Sequence, residues 1–230
     1  MKFLQQAAYG LSHIFYPRAC EGCRRPLLKA EQVLCLHCLD LLPRTLHAHI
    51  PQNETAMRLA GRFPFVAAAS FAWFTSEGLM QHLLHGLKYK GKRETGIFLG
   101  RQFAADLRTA SWIPAIDLII PVPLHRRKAA IRGYNQSELI AEGIGEELRI
   151  PVSGNILYRV RNTDSQTKKS REDRAENMRD AFELKRFPEG RHVLLLDDVL
   201  TTGATLEACA LTLLAGGDVR ISLATIGLAI

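Results

Sequence analysis

The chain has 230 residues, of which 47% are hydrophobic and 23% are charged, and its formal net charge is +7. This composition is typical of a soluble globular protein with one sizeable core and a small appendage, and it excludes a disordered chain. No apolar run approaches the ~18 residues that a membrane helix needs, and the N-terminus lacks a signal-peptide core. We therefore expect a cytoplasmic protein without a membrane span.

Two Cys-x-x-Cys pairs near the N-terminus are the first motif, Cys20 with Cys23 and Cys35 with Cys38. Four thiolates at this spacing can surround one ion in a tetrahedron, so the sequence predicts a structural Zn²⁺ site in a small zinc ribbon. Two disulfides or a redox couple are the alternatives, and disulfides are disfavoured in a cytoplasmic chain. We expect that His37, inside the second pair, is not a ligand of the ion.

The segments on either side of the cysteines carry weaker signals. Before them, apolar residues at helical spacing predict a short amphipathic helix: Phe3, Leu4, Ala7, Leu11, Ile14 and Phe15. After them, Leu39 to Pro64 is rich in prolines and polar residues without a sustained period, which is typical of a linker. The sequence thus predicts an N-terminal part at residues 1–62 and a larger domain at 63–230.

The larger domain begins with a strand predicted at Phe65 to Phe74, a helix with leucines at helical spacing from Leu79 to Leu87, and a second helix from Glu94 to Leu107. A basic turn separates the two helices. Residues 81–135 hold ten Lys and Arg against three acids, a surplus that favours polyanions. The nucleic-acid candidates in the turn are Lys88, Tyr89, Lys90, Lys92 and Arg93. A solvated charge cluster is the alternative.

A second predicted strand, Asp117 to Pro123, runs into consecutive basic residues that include Arg126, Arg127 and Lys128. Such a cluster is poorly placed for packing at a strand end and well placed for a pyrophosphate. Gly133 predicts a sharp turn into a helix at about Ser137 to Leu148.

The stretch from Val193 to Thr205 contains the most informative motif. Val193 to Leu196 is an apolar run typical of a strand buried on both faces, and Asp197 and Asp198 follow it. A loop rich in threonine and glycine then leads into a helix that ends at Gly216, and hydroxyls and backbone N–H groups there favour a phosphate. Carboxylates accept hydrogen bonds from vicinal hydroxyls, so a phosphorylated ribose fits the acids and the loop together. The Walker pattern is absent, and a last strand is predicted at Val219 to Leu228.

These motifs resemble known families. Val193 to Thr205 resembles the 5-phosphoribosyl 1-pyrophosphate (PRPP) motif of type I phosphoribosyltransferases, with four hydrophobic residues, two acids and a Thr-Gly-x-Thr loop. From Cys20 to the C-terminus, the order of motifs resembles the ComF family of competence proteins, ComFC and GntX-like relatives. The motifs are the two cysteine pairs, LKYKG at 87–91, VPLHRRK at 122–128, RGYNQ at 132–136 and Thr-x-x-Gln…Arg-x-x-Asn…Ala-Phe between 163 and 182.

The resemblance implies an α/β fold, an open parallel sheet of the type I phosphoribosyltransferase fold with a small four-cysteine zinc ribbon in front. It implies Asp197, Asp198, Arg126 and Arg127 as catalytic residues, and Mg²⁺ bound with PRPP. The implied PRPP-binding residues are Val122, Pro123, Lys128, Asp197, Asp198, Leu200, Thr201, Thr202, Gly203, Ala204 and Thr205.

The resemblance leaves three functions open. They are a phosphoribosyltransferase of nucleobase or nucleotide metabolism, a sensor that binds PRPP or ribose 5-phosphate without turnover, and a component of DNA uptake, natural transformation or use of external DNA. The last two are compatible with each other. The implied partners are single-stranded DNA and proteins such as a DNA-uptake helicase or a recombination mediator.

Overall fold

The computed structural model describes residues 18–160 and 181–230. Within them the chain divides into two compact units between Leu42 and Pro43. The division thus falls at residue 42, whereas the sequence suggested residue 62. The helix predicted near Leu11, and the 163–177 part of the ComF-like motifs, lie outside the described residues.

The helices are α1 (Leu36–Asp40), α2 (Glu54–Leu59), α3 (Leu79–Tyr89), α4 (Arg93–Leu107), α5 (Arg126–Arg132), α6 (Gln136–Leu148) and α7 (Ala204–Ala215), with 3₁₀ turns at His47–His49 and Ile113–Ala115. The strands are β1 (Ala68–Phe74), β2 (Leu118–Pro121), β3 (Leu157–Arg159), β4 (Phe182–Leu184), β5 (His192–Leu200) and β6 (Arg220–Ala229). The larger predicted helices and strands are therefore confirmed, with ends that differ by a few residues.

The larger unit is built on a parallel four-stranded sheet in the order β1-β6-β5-β2. This order confirms the predicted α/β class with an open parallel sheet. Strand β5 is central, and Val193 to Leu196 are completely buried. Val193 and Leu195 pack with residues of α7 in one core cluster, and α6 contacts β2 and β5. Burial on both faces explains why the strand is an unbroken apolar run instead of an alternating one.

The segment predicted to be a linker is folded. The carbonyl of Pro43 accepts a hydrogen bond from the Trp73 N–H (2.8 Å), and the Thr45 N–H donates to the Phe71 carbonyl (3.0 Å). Asn53 caps α2 and also donates to the Ala68 carbonyl at 2.7 Å. The polar residues of this segment form hydrogen bonds with backbone groups of β1, which are distant in the chain. The local sequence does not reveal these partners, so the residues were interpreted as part of a loop.

The structure contains a second, smaller sheet that the sequence did not predict. Strands β3 and β4 pair antiparallel, with Arg159 opposite Phe182. Each has three residues, too few for a periodic signal. This small sheet matters for function because it carries Arg159 to the carboxyl end of β5, as described below.

Candidate functional site

A cleft of about 230 Å³ lies at the carboxyl ends of β2 and β5. Its lining includes Val122 and Pro123 after β2, Asp197 and Asp198 in β5, and Thr205 in α7. Ligands of open α/β sheets bind outside the carboxyl ends of the strands, so the position of the cleft is that of a binding site. The structure thus brings together six of the predicted PRPP-binding residues, these five and Lys128.

The two acids lie inside β5, which continues to Leu200, and not after the strand as the sequence suggested. Asp197 accepts hydrogen bonds from its neighbour's backbone N–H (2.8 Å) and from the Ser137 hydroxyl (3.2 Å). Burial, and then the adjacent Asp198, raise the pKa of Asp197 to about 7, although Lys88 and these hydrogen bonds oppose the shift. A carboxyl group with this pKa is a candidate functional group, since it changes charge near neutral pH.

Asp198 is buried and forms an ion pair with Lys88, whose Nζ lies 2.8 Å from its Oδ2. Lys88 was predicted to be a nucleic-acid contact. The structure instead places Lys88 among the residues that line the cleft, together with the exposed Tyr89, whereas Lys90, Lys92 and Arg93 are not among them. Sequence reasoning missed this role because α3 precedes β5 by more than a hundred residues.

The loop between β5 and α7 contains Thr201 and Thr202 and ends at Gly203, which has φ +85°. A Cβ atom at Gly203 would lie 2.6 Å from a methyl group of Leu59, so both the backbone conformation and the space favour glycine. Val199 and Thr205 line the cleft, whereas the predicted PRPP-binding residues between them, Leu200 to Ala204, are not among its lining residues.

Arg58 in α2 and Arg62 just after it hold the loop between β5 and α7. The Arg62 side chain donates to the Thr202 carbonyl at 2.6 Å. Arg58 donates to the carbonyls of Thr201 (3.1 Å) and Ala229 (2.7 Å). Because the carbonyls are occupied by arginine, the loop keeps a defined conformation beside the cleft. The sequence signal for these arginines was lost when residues 39–64 were interpreted as a linker.

The basic residues after β2 differ from the prediction in conformation. Arg126, Arg127 and Lys128 form the first turn of α5 instead of a loop, and His125 caps the helix by accepting the Arg127 N–H (3.3 Å). Helical geometry separates the three side chains: Lys128 lines the cleft together with Arg132, one turn later. Arg126 and Arg127 are exposed and are not among the lining residues.

Four cations surround the cleft: Lys88, Lys128, Arg132 and Arg159. Burial, and then the nearby Arg159, Arg132 and Lys88, lower the pKa of Lys128. Burial also lowers the pKa of Arg159, whose guanidinium lies 5.6 Å from the centre of the Phe182 ring. The repulsion of Lys128 by the cations around it favours an anion between them. Sequence reasoning missed Arg132 and Arg159 as site residues, although Arg132 begins the RGYNQ motif.

The remaining nucleic-acid candidates lie at the end of α3 and the start of α4. Tyr89, Lys90 and Arg93 are exposed, and Lys92 is half-buried. The Arg93 guanidinium stacks 4.9 Å from the centre of the Tyr134 ring. These residues provide an accessible basic surface.

In the smaller unit, the sulfur atoms of Cys20, Cys23, Cys35 and Cys38 all lie within 4.8 Å of one another. The Cys23 and Cys35 sulfurs are 3.7 Å apart. Tetrahedral coordination with metal–sulfur bonds of about 2.3 Å requires sulfurs roughly 3.8 Å apart, so the cluster can hold one metal ion such as zinc. The four sulfurs form one cluster instead of two separate bonded pairs, which favours a metal site over the alternative of two disulfides.

The cluster is supported by the backbone and by Glu31. The Cys35 N–H donates to the Cys20 sulfur (3.3 Å) and the Cys38 N–H to the Cys35 sulfur (3.4 Å), as expected for thiolate ligands. Burial opposes ionisation of Cys20, but hydrogen bonds, mainly from backbone N–H groups, lower its pKa to about 6. Glu31 accepts the N–H groups of Leu28 (2.7 Å) and Leu36 (2.8 Å), and so connects the two halves of the ribbon.

Comparison with known proteins identifies the family. The chain is 30% identical over 205 residues to the DNA utilization protein YhgH of Shigella flexneri, covering 88% of this chain and 86% of that protein. It is 28% identical over 204 residues to competence protein ComFC of Bacillus subtilis, covering 87% and 79%. The chain belongs to the ComF family. A 106-residue stretch of this ComF protein is 44% identical to competence protein F of Haemophilus influenzae, covering 44% of this chain and 46% of that one.

No family model matches this ComF protein. Among solved structures, adenine phosphoribosyltransferase of Leishmania tarentolae is 18% identical with a TM-score of 0.36, covering 59% of the ComF chain and 70% of its own. The Leishmania donovani enzyme of the same name is also 18% identical, with a TM-score of 0.37 and coverages of 72% and 86%. Within residues 18–160 and 181–230, the ComF chain has no helix that is long and apolar enough to cross a membrane.

Proposed function

We propose that this ComF protein binds PRPP or ribose 5-phosphate in the cleft at the carboxyl end of β5 and acts in DNA uptake, natural transformation or use of external DNA. One observation carries the first part. An acidic pair, Thr205 in the first turn of α7 and four cations line one cleft at the edge of the sheet, and the threonine- and glycine-containing loop before α7 adjoins it. The names of the relatives, which refer to competence and DNA utilization, support the second part.

Each group of side chains has a role in this proposal. The carboxylates of Asp197 and Asp198 accept hydrogen bonds from the ribose hydroxyls, and the loop from Leu200 to Thr205 holds the 5-phosphate. Lys128, Arg132 and Arg159 hold the pyrophosphate, a role that sequence reasoning assigned to Arg126, Arg127 and Lys128. The exposed Arg126 and Arg127 contribute only to the surrounding field.

Magnesium fits this site because Mg²⁺ prefers oxygen ligands, and Asp197 and Asp198 are the acids among the lining residues. Asp197 and Asp198 would hold the ion when PRPP is bound, and Mg²⁺ would supply neutralisation of the negative charge of the pyrophosphate. If the sugar–pyrophosphate bond is broken, the cations stabilise the leaving pyrophosphate and the carboxylates stabilise positive charge that develops on the ribose. Titration of the protein with ribose 5-phosphate in a calorimeter tests the core of the proposal.

The cleft could belong to an enzyme or to a sensor, and measurement of PRPP turnover distinguishes these two functions. Incubation with PRPP, Mg²⁺ and a panel of nucleobases, followed by measurement of pyrophosphate, assigns a phosphoribosyltransferase if release depends on both the base and Asp197. Stoichiometric binding of PRPP without release assigns a sensor. Both functions require the ribose to compete with Lys88 for Asp198, so the ion pair between Lys88 and Asp198 is common to the two.

Binding of ribose 5-phosphate is expected to depend on the ionisation of Asp197. Because its pKa is raised to about 7, affinity should increase as the pH rises through 7 and the carboxylate forms. The effect of Asp197 on the free energy of unfolding runs in the opposite direction to its effect on affinity. Its stabilising contribution is largest below the ordinary carboxyl pKa of about 4 and is lost as the pH rises to about 7. Calorimetry without Mg²⁺ from about pH 5.5 to about 8.5 checks the binding, with the pH range chosen around this pKa.

Asp197→Asn is the matched control for the pH experiment. The ligand phosphate also titrates, with a second pKa of about 6, and this contribution is common to both proteins. The ratio of wild-type to variant affinity should therefore rise with pH. A ratio that stays constant across the range would show that Asp197 does not titrate in contact with the sugar.

We also propose that the basic surface at Lys90, Lys92 and Arg93 binds single-stranded DNA without sequence preference. Each neutralised phosphate of a single strand contributes a slope of roughly −0.7 in log affinity against log salt, so three contacts give about −2. Replacing Lys90 and Lys92 by alanine should make the slope less negative by about 1.4. Fluorescence anisotropy with a labelled oligonucleotide measures the slope, and Arg101→Ala, a cation of α4 that pairs with Glu146 at 2.8 Å, is the control. An unchanged slope would show that this surface is a solvated charge cluster that does not bind DNA.

The cysteine cluster supports two further proposals. We propose that the bound metal is structural zinc, because four thiolates form a closed site. Four cysteines gathered in one metal-type cluster are typical of a reducing compartment, which supports the cytoplasmic location that we propose. A DNA-uptake helicase and a recombination mediator are the partner classes that follow from the family, and affinity purification from competent cells would test them.

A further inference from the structure

We infer that Arg58 and Arg62 are positioning residues for the 5-phosphate of the ligand. They bind two carbonyls of the loop between β5 and α7 and so direct N–H groups of this loop toward the phosphate. The inference rests on the proposed function and extends it beyond the cleft, because neither arginine is among the described residues that line the cleft. Both arginines therefore act on the phosphate through the loop.

The two arginines bind consecutive peptide groups. Arg58 donates to the Thr201 carbonyl at 3.1 Å, and Arg62 donates to the Thr202 carbonyl at 2.6 Å. In a trans peptide the C=O and N–H bonds point in opposite directions, so the N–H groups of Thr202 and Gly203 point away from the arginines. A carbonyl that accepts a hydrogen bond from a cation also makes the N–H of the same peptide a stronger donor.

The N–H groups of Thr202 and Gly203 are available to an anion. Within residues 18–160 and 181–230, neither group donates to another part of the protein. Gly203 is buried, and a buried N–H without an acceptor is rare in folded proteins, which favours a ligand as its partner. Successive N–H groups that precede a helix, with one residue in the left-handed conformation, form the type of concavity that binds phosphate.

The arginines are presented by an element that is fixed to β1. The side chain of Asn53 caps α2 and donates to the Ala68 carbonyl at 2.7 Å. The hydroxyls of Thr55 and Ser70 lie 2.7 Å apart, and Leu59 is completely buried. Because α2 is held in this way before a ligand arrives, the loop does not have to be ordered during binding, which increases affinity.

Arg62 has a second contact that favours an anion at the loop. Its Nη1 lies 3.4 Å from Oε2 of Glu207, which is in the first turn of α7. A carboxylate at a helix N-terminus repels a phosphate that binds at the same end and competes for the same N–H groups. By pairing with Glu207, Arg62 reduces this repulsion.

Two ligands separate a positioning role from a general effect on the protein. In the proposed function ribose 5-phosphate uses the loop, whereas pyrophosphate uses Lys128, Arg132 and Arg159. Arg62→Ala is expected to weaken binding of ribose 5-phosphate by roughly tenfold, the effect of one lost hydrogen bond from a charged group, and to change pyrophosphate binding by less than about twofold. Arg62→Lys keeps a donor and a positive charge and should recover most of the affinity. Isothermal titration calorimetry measures both ligands.

Arg108→Ala is the matched control. Arg108 makes the same two types of contact at another place, because it donates to the carboxylate (2.8 Å) and to the backbone carbonyl (3.3 Å) of Glu147. Its replacement should change neither affinity. Arg62 and Arg108 are both exposed, so we expect both alanine variants to keep the thermal midpoint of the wild type.

A double variant tests how Arg62 acts. Arg62→Ala combined with Glu207→Gln removes the repulsion by the carboxylate but does not restore the hydrogen bond to the Thr202 carbonyl. It should therefore recover only part of the lost affinity for ribose 5-phosphate. Full recovery would show that neutralisation of Glu207 is the whole effect, and it would overturn the positioning role.

The remaining outcomes distinguish this inference from the proposed function. Unchanged affinity for ribose 5-phosphate in Arg62→Ala, or an equal loss of affinity for pyrophosphate, would overturn the inference and leave the sugar-phosphate cleft in place. Absence of ribose 5-phosphate binding by the wild type would contradict the proposed function, and the positioning role with it.

Discussion

Replacing Asp197 and Asp198 together by asparagine is expected to weaken binding of PRPP with Mg²⁺ by at least a hundredfold. Asparagine keeps the shape of each side chain but removes both negative charges. Hydrogen bonds to a charged group contribute ~1.5–3 kcal/mol each, and loss of two corresponds to a hundredfold or more in affinity. Isothermal titration calorimetry of the wild type and the double variant, at the same Mg²⁺ concentration, measures the difference.

The fold of the double variant has to be checked, because Lys88 loses the partner of its ion pair. The loss of this ion pair is offset in part, because the double variant also removes an ionisation of Asp197 that burial and the adjacent Asp198 oppose. We therefore expect a thermal midpoint close to that of the wild type. Ser137→Ala is the matched control at the same place: it removes one hydroxyl that donates to Asp197 and should weaken binding by much less. Equal affinity for PRPP in wild type and double variant would rule out the sugar-phosphate cleft.

The sequence was sufficient to predict those parts of the site that are contiguous in the chain. β5, the loop at Gly203 and α7 form one strand-loop-helix unit, in which local propensity and burial favour the same structure. The four cysteines were equally predictable, because a metal site of two Cys-x-x-Cys pairs has a fixed local spacing.

The parts that sequence reasoning missed depend on contacts between distant residues. Arg159 reaches the cleft from a three-residue strand, and Lys88 reaches Asp198 from the last turn of α3. Arg58 and Arg62 contact the loop across more than a hundred residues of chain. None of these pairings has a periodic or spacing signal.

One error had a local cause. Arg126, Arg127 and Lys128 were considered as an equivalent cluster, but α5 begins at Arg126. A helix directs consecutive side chains about 100° apart, so only some of three adjacent residues can face one cleft. His125, which caps the helix, was the signal in the sequence that could have indicated a helix start.

Removal of the metal from the cysteine cluster is expected to unfold the smaller unit and leave the larger one folded. We expect one zinc ion per chain, bound by Cys20, Cys23, Cys35 and Cys38. A structural zinc site contributes on the order of 10 kcal/mol to folding, and the apolar residues of so short a segment cannot replace this contribution. After treatment with a chelator, limited proteolysis should cleave residues 18–42 rapidly, while the fragment from about Pro43 onward resists.

Two variants make the zinc experiment specific. Cys35→Ser should lose the metal, because the Cys35 sulfur lies 3.7 Å from that of Cys23 and accepts the Cys38 N–H. Cys209→Ala, at a buried cysteine of α7, should keep one zinc ion per chain. Retention of zinc by Cys35→Ser, or a metal-free wild type that still resists proteolysis at residues 18–42, would contradict a structural zinc site. In that case the hydrogen bonds of Glu31 to Leu28 and Leu36 would have to stabilise the segment without a metal.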